Sequence, residues 1–147
     1  MTIQDQVIGA LCAWRECRNA GQPGLQSILN VLENRVKRDG TSIYEEATAK
    51  LQFSSLTAAG DPELTLWPTD TDPQWQMALS LAAQLAAGTL PDLTNGSTLY
   101  YAPASIPPGG SITLPSGNTI PFPKGWNPDV VTYQATIGNQ VFLTEAA

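Results

Sequence analysis

Along the first half of the chain, apolar residues recur every three or four positions. After Leu90 that rhythm gives way to short apolar runs cut by proline and glycine. The first pattern predicts helices, the second strands and turns. Gln4 to Cys17 reads as the first helix, ending at Asn19-Ala20-Gly21. Pro23 suits the first turn of a second helix, with Leu25, Ile28, Leu29, Leu32 and Val36 as its apolar stripe. Asp39-Gly40 ends it. Ser42 to Lys50 predicts a short third helix, with Ser42 as cap and Glu45 at the capping-box position. Residues 52–71 read as loop and short turns. Asp72-Pro73 opens another helix, with Trp75, Ala78, Leu79, Ala82 and Leu85 facing inward and Gly88 closing it. Leu99 to Ala102 reads as a short strand, and Ser111 to Pro121 as an edge hairpin turning at Ser116-Gly117-Asn118. Residues 130–134 and 140–143 complete the pattern. The expectation is an α+β fold, a helical body followed by a small antiparallel β element in the C-terminal half.

One polar residue interrupts the apolar pattern of the first helix. Ile8, Cys12 and Glu16 fall four apart and share a face, so a carboxylate extends an apolar stripe. Burial disfavours the charged carboxylate and raises its pKa, as a general acid requires near neutral pH. The alternative is a structural acid paired with Arg15 or Arg18. The chain of 147 residues contains no histidine, which removes Ser/His/Asp and Cys/His catalysis and the usual zinc sites. No metal or cofactor is called for. Cys12 and Cys17 would lie roughly 8–9 Å apart on one helix, too far to bridge. The net charge is −6, and beyond Lys50 only Lys124 is basic, which argues against nucleic-acid binding and permits a neutral polymer such as a glycan. Nothing approaches a transmembrane span, and the N-terminus lacks the basic and apolar regions of a secretory signal.

Several separated segments together resemble the SleB-type cell-wall hydrolases. Glu16-Cys17-Arg18 matches the glutamate-small-arginine core of that family's first motif, Gly24 falls at its glycine, and Leu32-Glu33-Asn34-Arg35-Val36 matches its second helix end. Gln52-Phe53-Ser54, Gly96 to Tyr101 and Ile137 to Phe142 resemble three further segments, in the family's order. Arg15 stands where the family has glycine, Ala20 where it has a second glutamate, and Gln140 where it has histidine. The resemblance covers roughly residues 5 to 143.

The resemblance implies one lysozyme-like catalytic domain over residues 1–147, with residues 103–125 as a Pro/Gly-rich insertion. It implies cleavage between N-acetylmuramic acid and N-acetylglucosamine in peptidoglycan, with Glu16 as catalyst. A single glutamate suits a lytic transglycosylase, whereas hydrolysis by two carboxylates would recruit a second acid, Glu33 or Asp61 above all. The partner is the glycan strand, with Gln52, Ser54, Tyr100, Tyr101 and Gln140 as residues for holding it. Tyr100 and Tyr101 point to opposite sides of a strand, one toward the core and one available to a sugar. Trp14, Trp67, Trp75 and Trp126 read as packing residues, Trp126 within the Pro/Gly-rich region. The chain is expected to work as a monomer at the bacterial cell wall, reached by phage-type release or another delivery route. The competing expectation is an inert peptidoglycan-binding or virion structural module on the same fold.

Overall fold

The computed structural model of the protein describes residues 1–50, 52–107 and 109–146; Pro108 of the Pro/Gly-rich segment lies outside them. Helix α1 (Ile3–Cys17) starts at a capping box formed by Thr2 and Asp5. Asp5 also accepts the Tyr44 amide at 2.9 Å, which ties α1 to α3 (Ile43–Thr48). The Ser42–Glu45 capping box of α3 forms as its sequence implies. Helix α2 spans Gly21–Asp39, two residues longer at its start than Pro23 suggests, because a 3-10 turn over Arg18–Ala20 delivers the chain directly into it. Gly40 closes α2 in the left-handed conformation at φ 71°. The segment read as loop contains a four-residue helix, α4 (Ser54–Thr57), and a 3-10 turn at Pro62–Thr65.

Helix α5 (Pro73–Ala86) is capped by Asp72, whose other oxygen accepts the Trp14 indole at 2.9 Å. One carboxylate therefore starts α5 and pins it to α1. Its buried face is Ala78, Leu81, Ala82 and Leu85; Trp75 and Leu79 are only half-buried. Leu11, Trp14, Leu25, Ile28, Leu29 and Phe53 anchor the main apolar core between these helices. The close packing of α2 against the end of α1 depends on Gly24. A Cβ there would meet the Ala20 Cβ at 2.5 Å and the Cys17 carbonyl at 2.9 Å.

The strands follow residue 98: β1 (Leu99–Tyr101), β2 (Gly110–Thr113), β3 (Thr119–Phe122), β4 (Val131–Ile137) and β5 (Gln140–Glu145). Strands β1, β5 and β4 form an antiparallel sheet in that order, and β2–β3 is a separate hairpin. Helices first and antiparallel strands after make the fold α+β, as the hydropathy pattern implies. Strands β4 and β5 run longer than their alternation suggested. A bulge between Tyr133 and Ala135 breaks the period of two, so the pairing continues where the pattern stops. Alternation along β1 sends Tyr100 toward the helical core and Tyr101 into a second cluster with Phe122, Val141 and Leu143. The hairpin covers that second cluster through Phe122, Ile112 and Ile120. No helix among the described residues is long and apolar enough to cross a membrane.

Candidate active site

Glu16 sits on the last turn of α1, half-buried, where the helical body meets the sheet. Two hydroxyls hold its carboxylate. Ser55 on α4 donates to Oε1 at 2.5 Å, and Tyr100 on β1 donates to Oε2 at 3.0 Å. Burial pushes the Glu16 pKa above the ordinary carboxylate value, and the charges of Asp61 and Glu63 push the same way. The hydrogen bonds from Ser55 and Tyr100 favour the ionised form and offset part of that rise. Tyr100 itself is a firm donor: burial, and then the charge of Glu16, raises its pKa well above that of a free phenol. Its ring stacks on Phe142 with centroids 5.7 Å apart, which fixes the hydroxyl's aim.

The carboxylate opens on a cleft of about 290 Å³, walled also by Cys17, Arg18, Glu63, Ser105 and Gln140. Glu63 is the second acid in this cleft. Arg18 grips both its oxygens, at 2.8 and 2.9 Å, and lies over the Trp14 ring. Neither acid expected from the sequence takes that place. Glu33 pairs with Lys37 one turn along α2, and Asp61 accepts Ser54 Oγ at 2.7 Å and the Glu63 amide at 2.9 Å. The nearest basic neighbours do not neutralise Glu16. Arg15 points its buried guanidinium at the carbonyls of Ser55, Leu64 and Leu66, at 3.0 to 3.4 Å, and so fastens the loop that carries Ser55. Arg15 thus has a structural use. Trp67 departs from the packing expectation: it is 68 % exposed, with one face on the Arg15 guanidinium at 4.6 Å.

The remaining predicted residues divide. Gln140 lines the cleft, 8 % exposed, and its Oε1 accepts the Cys17 thiol at 3.5 Å. Burial pushes the Cys17 pKa up to about 11, so the sulfur is a protonated donor and not a nucleophile. That bond fixes the amide's orientation and leaves its NH2 group without a partner among the described residues. Ser54 points away to Asp61, and its neighbour Ser55 makes the contact with Glu16. Gln52 accepts from Arg35 at 3.1 Å, outside the cleft walls. Tyr101 packs in the second cluster and donates to the Pro121 carbonyl at 2.8 Å, so β1 contributes Tyr100 alone to the carboxylate. Among the described residues there is no group of three or more Cys, Asp or Glu placed to hold a metal ion. In comparisons with known proteins, the chain matches no family model, no curated protein and no solved structure.

Proposed function

We propose that the chain is a peptidoglycan-cleaving glycosidase of lysozyme-like type, acting between N-acetylmuramic acid and N-acetylglucosamine as a lytic transglycosylase at the bacterial cell wall. The observation that carries this reading is the Glu16 carboxyl. It is partly desolvated, raised in pKa, held by two hydroxyls and open on a cleft. Protonated, Glu16 donates its proton to the glycosidic oxygen as the bond from that oxygen to the muramoyl anomeric carbon breaks. The resulting carboxylate accepts the hydrogen bonds of Ser55 and Tyr100. It then takes the proton of the muramoyl 6-hydroxyl as that oxygen attacks the anomeric carbon. The products are a free 4-hydroxyl and a 1,6-anhydro ring, no water is consumed, and Glu16 is again protonated.

Gln140, which lines the same cleft, would offer its NH2 group to an acetamido carbonyl of the substrate. Glu63 supports a second reading, a muramidase, because it lines the same cleft. Glu16→Gln keeps the shape and removes the acid. Clearance of a purified cell-wall suspension is expected to slow by roughly 10²–10⁴-fold in this variant. A folded Glu16→Gln protein within a few-fold of wild type removes Glu16 from the mechanism, and a wild type that clears no wall leaves the inert binding module as the better account.

A further inference from the structure

A second and larger cavity, about 440 Å³, lies along the start of β1, walled by Arg35, Gln52, Tyr100, Trp126, Asn127 and Glu145. It shares Arg35, Gln52 and Glu145 with an adjoining hollow to which Thr98 and Arg38 contribute, so the two form one trough. Strand β1 is an outer strand of its sheet, and no strand among the described residues pairs with its other side.

Three features set this trough apart from ordinary surface. Thr98 is 8 % exposed, yet its Oγ1 has no hydrogen-bond partner among the described residues. Buried hydroxyls are seldom left so. Arg35 is 5 % exposed and lies over the Phe53 ring. It donates from Nε to the Thr98 carbonyl at 2.7 Å and from Nη1 to Gln52 at 3.1 Å, and its Nη2 has no partner among the described residues. Charges of both signs also line the trough: Arg35 and Arg38 against Glu145, the last 3.7 Å from Arg38.

A strand edge offers amides and carbonyls spaced for another extended peptide. Guanidinium groups match carboxylates, and a carboxylate such as Glu145 matches an ammonium. We propose that the trough binds the peptide stem of peptidoglycan, a short extended peptide that carries carboxylates and, in many walls, a free amine. The proposal rests on the reading of Glu16 as a peptidoglycan glycosidase. Tyr100 joins the two regions, since it walls the trough while its hydroxyl is bonded to Glu16. A muramoyl residue beside Glu16 carries its stem on the lactyl group, and β1 supplies the edge along which that stem would lie.

The test is binding, without cleavage. The free tetrapeptide alanyl–glutamyl–diaminopimelyl–alanine is titrated into isotope-labelled wild type, Thr98→Val and Glu145→Gln, and amide shifts are followed. Thr98→Val keeps the side-chain shape and removes an unpaired hydroxyl, so the variant is expected to fold. Wild type should show shifts at residues 98–101 and at Glu145, saturating in roughly the millimolar range. Thr98→Val should bind roughly three- to tenfold more weakly, the worth of one net hydrogen bond. No shifts along β1 at about 10 mM peptide, or equal binding by wild type and Thr98→Val, overturns the proposal. Wall cleavage with no peptide binding sinks the trough alone, and peptide binding with no wall cleavage sinks only the enzymatic reading.

Discussion

At Glu16 two influences of opposite sign act on one proton: burial holds it on, and the hydroxyls of Ser55 and Tyr100 ease it off. Burial is the larger, so the folded pKa lies above the unfolded one. The stability this group contributes is therefore fully present below its unfolded pKa and is lost as pH rises through the folded pKa. Asp5, Asp72 and Asp92 behave oppositely. Burial works against their charge too, but the hydrogen bonds each accepts outweigh it and lower the pKa. Their contribution is present above the unfolded value and lost as pH falls through the folded one. Comparing wild type with Glu16→Gln isolates the Glu16 effect, since the aspartates are common to both. Melting temperatures measured across pH should show the variant gaining on wild type as pH rises past the ordinary glutamate range, about 4 to 5. A constant difference would mean that Glu16 titrates as an ordinary carboxylate. Cleavage should share that dependence, persisting above the ordinary glutamate range and falling as Glu16 ionises.

Among the elements, the segment from Ser54 to Trp67 has little regular structure of its own and depends on Arg15. Replacing Arg15 by Met keeps the length and leaves the carbonyls of Ser55, Leu64 and Leu66 without their donor. The expected cost is about 2–4 kcal/mol in a denaturant titration. Faster amide exchange confined to residues 54–67 should accompany it. Unchanged stability and exchange would show that the loop holds itself. This clamp also marks the limit of what the sequence disclosed. The Ser42–Glu45 box and the Asp72-Pro73 start were legible because capping is local. Ser55 in place of Ser54 was not, because the direction of each hydroxyl is set by the short helix α4, which carries no strong local signal. Glu63 was missed because its role comes from Arg18, 45 positions away. The exposure of Trp67 likewise depends on a loop anchored from a different helix.

On the scale of the whole molecule, the α+β division shows in the hydropathy pattern, and so does the carboxylate placed on an apolar stripe. The meeting of Glu16 with Tyr100, 84 positions later, depends on how the sheet docks against the helices. That docking sets the cleft at one end of the short strand β1 and the trough at the other, with Tyr100 between them. On the proposed mechanism one glutamate serves as acid and then as base, while Glu63 stays with Arg18. The most direct measurement is mass spectrometry of the fragments released from purified peptidoglycan by wild type and by Glu63→Gln. On that mechanism both proteins release 1,6-anhydro-muramoyl ends, one water lighter than hydrolytic ends. Reducing muramoyl ends as the main wild-type product, lost in Glu63→Gln, would contradict it and make Glu63 the second catalytic carboxylate.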